Sequence, residues 1–303
     1  MFNALISNAI GLIQSAASAL WVAAELLFYS AVWLCGLALL VKGKEAIEAA
    51  RKAAKEIRLN LAILVVDVLL VAPFVGLLVG LVRAGVDHLP FGVLDGRIWD
   101  VAGRGGTLFA VVFLGDFFSY WRHRLEHTRL LWPAHAIHHS DTEMTWLTLG
   151  RFHPIDRAVT AIVDITLLAL LGFPGWALVF NEIVRHYYGE FIHADFPWTY
   201  GPLGRVFVSP VMHRWHHARD VVGAGSNFAT VFSVFDQAFG TYYVPGLCNV
   251  PLGVREEIGP GLIGQLVHPF RTWVREFRPA VITSRPAEPE AMPTRERKFE
   301  STG

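Results

Sequence analysis

Between Ala17 and Val41 the chain is almost wholly apolar, and no positive charge occurs before Lys42. About 20 apolar residues are enough for a helix to cross a bilayer, where only helices and closed barrels satisfy every backbone N–H and C=O. The stretch reads as a retained span with the preceding residues along the interface, since it is too long, and lacks the basic start, for a cleaved secretory signal. A second run extends from about Leu61 to Val82, interrupted by Asp67, Pro73 and two glycines, and a third from Thr107 to Trp121. Two shorter runs, Ala158 to Leu171 and Trp176 to about Ile192, flank Gly172-Phe173-Pro174-Gly175 and predict a hairpin of short or partly immersed helices. The overall content agrees: 53% hydrophobic residues and a mean hydropathy of +0.41 exceed what soluble domains carry.

Lys plus Arg and Asp plus Glu number 26 each, so no basic excess argues for nucleic acid as a partner. Placement of charge is more telling. The segment from Lys42 to Arg58 carries six Lys/Arg among helix-favouring Ala and Glu, as a juxtamembrane helix on the cytoplasmic face does. The loop from Arg83 to about Gly106 has only Arg83, Arg97 and Arg104. Counting crossings from there places residues 122–157, and the chain after the hairpin, on that same cytoplasmic side. The predicted fold is an all-α integral membrane protein: four to five spanning or half-spanning helices with a cytoplasmic, histidine-rich helical cap over residues 1–278, then a mobile tail over 279–303, rich in Pro, Glu and Arg. Ser301-Thr302-Gly303 is no retention signal, which favours a bacterial inner membrane over the endoplasmic reticulum. Asp67 and Asp164, inside apolar runs, call for partners in the bundle interior. Arg122, Arg124, Arg151 and Arg214 read as topology and headgroup charges. Trp121, Trp132, Trp146 and Trp215 read as interface or core residues that also suit the wall of an acyl path.

Thirteen histidines are present and two cysteines, Cys35 and Cys248, too few for a disulfide framework or a zinc knuckle. Any metal site therefore rests on histidine or carboxylate. Eight histidines form three groups: His123-Arg-Leu-Glu-His127, His135-Ala-Ile-His138-His139 and His213-Arg-Trp-His216-His217. Spacings of three and four set the imidazoles of each group on one helical face. Asp116 and Tyr120 lie seven and three residues before His123 on its face, so Asp116 is placed to hold an imidazole N–H behind the ligands or to bind metal itself. A zinc site uses about four ligands including water, so eight imidazoles imply two ions. Imidazole suits zinc, copper, iron and nickel alike; the ligand number and the bilayer setting are what favour redox chemistry. Isolated His88 and His268 read as solvated or capping residues.

Two other functions fit parts of the pattern. His123-Arg-Leu-Glu126-His127 also reads as the inverted zinc-protease motif with Glu126 as base, which leaves six clustered histidines unused. A metal transporter or sensor is the non-enzymatic alternative, but transport favours ligands at membrane depth, whereas these lie at the ends of the spans.

From about Leu108 to Gly246 the chain resembles the fatty acid hydroxylase and sterol desaturase superfamily of membrane di-iron enzymes. The three histidine groups carry the resemblance, together with Asp116 to Arg124 (DFFSYWRHR), His138 to Pro154 (HHSDTEMTWLTLGRFHP) and the segment ending Pro210-Val-Met-His213. It implies two non-haem irons, O2 as co-substrate, and hydroxylation or desaturation of a sterol, fatty acyl or related lipid. No cytochrome or flavin motif is visible, so a separate electron carrier, a small cytochrome or ferredoxin, is implied. The likeness adds His193, in Phe-Ile-His-Ala-Asp, as a ninth ligand, makes Asp116 a residue behind the ligands, and sets His153 beside the site. His186, seven residues before His193 on the same face, reads as an interfacial or supporting residue. Asp195 stands near where relatives often carry asparagine.

Overall fold

The computed structural model describes residues 2–87, 96–219 and 225–277; the expected tail over 279–303 and His88 lie outside the described residues. Helices α1 (Phe2–Lys42), α2 (Lys44–Lys52) and α3 (Ala54–Val66) open the chain. The expected continuous basic helix is instead broken twice. Gly43 takes the left-handed φ of 57° that turns the chain out of α1, and Ala53, buried, separates α2 from α3. A five-residue π turn, Asp67–Val71, joins α3 to α4 (Ala72–Asp87). α5 (Arg97–Glu126) bends at Gly103, where φ of 68° and ψ of 172° leave the helical region.

Three segments are long and apolar enough to cross a membrane: Gly11–Lys42, Ala54–Val82 and Arg97–Glu126, of 32, 29 and 30 residues. The second and third exceed the expected runs at both ends or at the start, because the charged residues that delimit those runs continue the helix. α7 (Pro154–Leu170) and α8 (Gly175–His193) make the expected hairpin and pack on α5 and α4. Its tip reaches the far end of α5: Trp99 Nε1 donates to Leu171 O at 2.9 Å, and the Trp99 and Phe173 rings stack at 3.9 Å.

At the other end of α5 a cap is built from short helices, α6 (Trp132–His139), α9 (Pro210–His216), α10 (Val234–Ala238) and α11 (Gly261–Glu276), with 3₁₀ turns at Trp146–Gly150 and Gly201–Arg205. No strand occurs among the described residues; Ala218 and Leu252 form an isolated bridge. Local chemistry starts these short helices. Ser209 Oγ accepts from Met212 N at 3.1 Å ahead of Pro210 in α9, and His153 Nδ1 accepts from Ile155 N at 3.2 Å ahead of Pro154 in α7.

Two of the four arginines expected to face lipid headgroups, Arg122 and Arg151, prove to be internal ties. Arg122 is buried and donates to Asp164 (2.9 Å) and Glu126 (2.6 and 2.7 Å), joining α5 to α7. Arg151, also buried, donates to Glu56 (2.5 Å) and Asn60 (3.2 Å), fastening α3 beneath the second histidine group. Asp195 is clasped by Lys42 and by Arg214, the latter at 3.1 Å. For the buried Arg122 and Arg151, pairing offsets the desolvation cost of the guanidinium, and the partners come from α5 and α7 and from α3. Asp67 lies 3.7 Å from Arg157.

Candidate metal centre

α5, α6, α8 and α9 converge so that nine histidines meet in two adjoining sets. His123, His127, His135, His139 and His216 form one set and His138, His193, His213 and His217 the other; within each, one nitrogen per ring lies within 4.8 Å of every other. Rings of the two sets touch, His139 and His217 at 4.4 Å between centroids and His135 and His138 at 5.5 Å.

The backbone dictates the tautomers. His123 Nδ1 lies 2.8 Å from Phe228 O, His216 Nδ1 2.7 Å from Ser226 O and His193 Nδ1 2.7 Å from Gly189 O. A carbonyl only accepts, so each Nδ1 carries the hydrogen and each Nε2 is left with a bare lone pair. Two of those bare Nε2 atoms, of His216 and His123, face each other at 2.9 Å, and the other Nε2 contacts crowd around them: His123 to His135 at 3.1 Å, His213 to His193 at 2.9 Å and His193 to His138 at 3.2 Å. Two lone pairs at that distance repel unless a cation lies between them. Nitrogens bound side by side to one ion at about 2.1 Å stand about 3 Å apart. The donor set therefore fits a metal ion in each group.

Burial keeps the rings uncharged, as ligands must be. It pushes His216 down to about 3 and, reinforced by neighbouring imidazoles, holds His138, His139, His213 and His217 well below the usual histidine range. His135 departs from this pattern. Burial lowers it too, but the Asp156 carboxylate, 3.2 Å from its Nδ1, outweighs that and raises it. A carboxylate behind a ligating imidazole fixes its orientation and increases its basicity.

Asp156 carries no signal in the histidine spacing; the Pro154-Ile-Asp156 helix start is the only local sign of it. Asp116 does not hydrogen-bond a histidine among the described residues. Its carboxylate accepts from Thr230 N (3.1 Å) and Oγ1 (2.7 Å), Val231 N (3.1 Å) and Phe232 N (2.6 Å), with Arg185 at 3.4 Å. Asp236 likewise accepts from Phe228 N at 2.7 Å and Ala229 N at 3.0 Å. Together they brace the irregular segment whose carbonyls at Ser226 and Phe228 hold His216 and His123. His153 sits to the side, with Nε2 3.1 Å from Leu266 O, and His268, expected to be a solvated or capping residue, is buried on α11. His186 lies 3.5 Å from Glu190, away from the nine.

Two cavities reach the histidines. One, of about 520 Å³, runs between α1, α3, α4, α7 and α8 to His123, His135, His138, His193 and His213. The other, of about 640 Å³, opens in the cap above His127, His139 and His216 and is rimmed by Arg124, Arg129 and Arg255.

The model of the family described as fatty acid hydroxylase matches residues 108–241, a segment that contains all nine histidines, Asp116 and Asp156. Over residues 108–241 the chain is similar to the fatty acid hydroxylase family. Among curated proteins, the ornithine lipid hydroxylase of Rhizobium tropici is 31% identical over 177 residues, covering 58% of this chain and 53% of that one. The alkylglycerol monooxygenase of Caenorhabditis elegans is 35% identical over 140 residues, 45% of this chain and 27% of its own. A putative methylsterol monooxygenase of Dictyostelium discoideum is 26% identical over 138 residues, 45% and 50%. The matched stretch thus spans about half, or less, of the length of these relatives. No solved structure matches the chain. Helices α1 to α4 and α11 lie outside the fatty acid hydroxylase segment, yet α1, α3 and α4 form one wall of the larger-reaching cavity.

Proposed function

We propose that the protein is a membrane oxidoreductase that hydroxylates a lipid C–H bond with two non-haem irons, O2 and electrons from a separate carrier. The observation that carries this reading is the pair of adjoining histidine sets with bare Nε2 atoms turned inward, at the end of a cavity between membrane-length helices. His123, His127, His135, His139 and His216 hold one ion and His138, His193, His213 and His217 the other. When bound, such a pair supplies the oxidising power for an unactivated C–H bond that no side chain has. The balance is R–H + O2 + 2 e⁻ + 2 H⁺ → R–OH + H2O. The names of the relatives, hydroxylase and monooxygenase, support oxygen insertion over desaturation.

The chain's own residues position and shield. Phe228 O, Ser226 O and Gly189 O hold three rings, and Asp156 a fourth, so little reorganisation accompanies the reaction. The membrane-side cavity admits the lipid from the bilayer, which spares it a passage through water. The cap-side cleft, with its arginines, suits an acidic electron carrier such as a small cytochrome or ferredoxin. Lys42, Lys44, Arg51, Lys52, Lys55 and Arg58 support a cytoplasmic cap, with α7 and α8 as fourth and fifth, shorter crossings, in a bacterial inner membrane. The hydrolase alternative fares worse, because Glu126 is engaged by Arg122 at 2.6 and 2.7 Å and by Thr160 Oγ1 at 3.2 Å and so is not a free base.

Metal analysis of protein purified from iron-replete cells, beside a His138→Ala, His139→Ala, His216→Ala, His217→Ala variant, tests it. About two irons per chain, lost in the variant, together with ¹⁸O from ¹⁸O2 in a membrane lipid, is the expected result. One zinc that survives the variant would falsify the reading.

A further inference from the structure

α11 is amphipathic the wrong way round for a helix on a water-facing cap. Its inward face is made of Gly264, Gln265, His268, Pro269 and Thr272, all buried. Its outward face carries Ile263, Phe270 and Val274, 75%, 51% and 56% exposed, and Phe277 follows at 59% just past the last turn. Steps of seven and four place the first three within an arc of about 40° at 3.6 residues per turn. A helix on a soluble surface buries its apolar stripe and turns polar residues to water. Here the protein keeps the polar side: Ser140 Oγ donates to Gln265 Oε1 at 3.2 Å, and the Leu266 carbonyl lies 3.1 Å from His153 Nε2.

The surroundings of α11 indicate what covers its apolar face. The helix runs antiparallel to α6, from Gln265 beside Ser140 to Trp273, whose Nε1 donates to Leu130 O at 2.8 Å. It lies against α3 and, through Leu266 and the Phe270 ring 5.7 Å from that of His153, against the start of α7. Its last turn meets the residues just after α5, where Arg129 stands 3.3 Å from Glu276. α3 opens the membrane-length segment Ala54–Val82 and α5 closes Arg97–Glu126. α11 therefore lies across the ends of spans, where hydrocarbon gives way to headgroups. Leu130, 60% exposed, extends the apolar face toward α5. Exposed Arg271 and Arg275 border the face on one side, as cations do that meet lipid phosphates, and Trp273 borders it on the other. The helix lies beyond the matched segment, 108–241.

We infer that α11 is an interfacial helix that seats this face in the cap-side leaflet, about 5–10 Å into the boundary between headgroups and acyl chains, with Arg271 and Arg275 on the phosphates of anionic lipids. Through Gln265 and Ser140 the bilayer contact comes within one residue of His139. The inference needs the spans to lie in a bilayer and does not depend on the oxidation chemistry.

Full-length protein carrying Cys35→Ala and either Phe270→Cys or Val274→Cys is labelled with a nitrobenzoxadiazole fluorophore and placed in nanodiscs of phosphatidylcholine mixed with phosphatidylglycerol. Cys248 is buried and leaves a low background. Arg255→Cys, on the rim of the cap-side cleft, is the water-facing reference. Ile263→Cys, near the opposite end of α11, replaces either position should its variant misfold. Phosphatidylcholine with a nitroxide on its acyl chain should quench the α11 labels at least about three-fold more than the reference, and iodide in the buffer should do the reverse. Without phosphatidylglycerol the lipid quenching of the α11 labels should weaken, and Arg271→Gln, Arg275→Gln should remove that dependence. Labels on α11 that iodide quenches as strongly as the reference overturn the inference. So do labels shielded from both quenchers, which mark the face as covered by a second copy or by residues 279–303. Lipid quenching that is the same with and without phosphatidylglycerol overturns the assignment of Arg271 and Arg275 to anionic lipid. No readout involves the metals, so a failed lipid-oxidation assay leaves each of these outcomes unchanged.

Discussion

Single side chains decide how firmly the metals are held. His135 is the one ring of the nine whose Nδ1 meets a carboxylate, Asp156, with Glu126 at 3.9 Å behind it. Asp156→Asn keeps the size of that partner and removes its charge, so His135 loses both orientation and basicity. Iron affinity of the variant, measured by competition with a chelator, should fall about 10–100-fold. Arg122 poses the opposite case, a buried cation between Glu126 and Asp164. Arg122→Met strands two buried carboxylates and should cost about 3–5 kcal/mol, read as a lowered midpoint of thermal or denaturant unfolding in detergent. Glu126→Gln, Asp164→Asn added to that variant should restore much of the loss, because the stranded charges are then gone.

The elements that matter most are the irregular ones. Residues 225–233 have no helical ladder of their own, yet they lie along α5, with Phe232 packed on Phe113 at 5.4 Å between ring centroids and on Phe109 at 6.3 Å. Backbone N–H groups buried at that depth need acceptors, and Asp116 supplies them to residues 230, 231 and 232. Asp116→Ala should destabilise the protein by about 2–4 kcal/mol, since hydrogen bonds to an ionised acceptor contribute about 1.5–3 kcal/mol each and do not add fully. It should also release iron preferentially from the His123 set, as the Phe228 and Ser226 carbonyls lose their brace. Iron stoichiometry and the unfolding midpoint of one preparation test both effects. Loss of stability with full retention of iron would show that the segment's carbonyls keep their places without Asp116.

At the scale of the whole molecule, three long helices and a shorter hairpin carry a cap that closes over the metals from one side. The proposed topology places Lys44, at the start of α2, and Gly175, at the start of α8, on opposite sides or depths of the bilayer. In a Cys35→Ala background, Lys44→Cys should react with a membrane-impermeant thiol reagent added from the cytoplasmic side, and Gly175→Cys should not. Equal labelling of both from that side would overturn the crossing count. Cys248 is buried in the cap and leaves a low background.

Much of this protein was written in its sequence. Helical spans follow from apolar runs of bilayer length, since lipid offers the backbone no other partner, and the eight clustered histidines follow from spacings of three and four. His193 stood apart from those groups and was legible only through the family resemblance. What the linear order does not encode is the partner of each charge. Arg122 and Arg151 read as headgroup residues because a guanidinium beside a span usually faces water, and only the approach of α7 and α3 makes them internal ties. Asp116 shares a helical face with His123, yet it serves a segment more than a hundred residues later. Asp156 backs His135 only because α7 starts beneath α6. Helix periodicity sets which residues share a face, a local property, whereas hydrogen-bond partners across helices depend on crossing angles and on the paths of irregular segments, which no short stretch of sequence specifies.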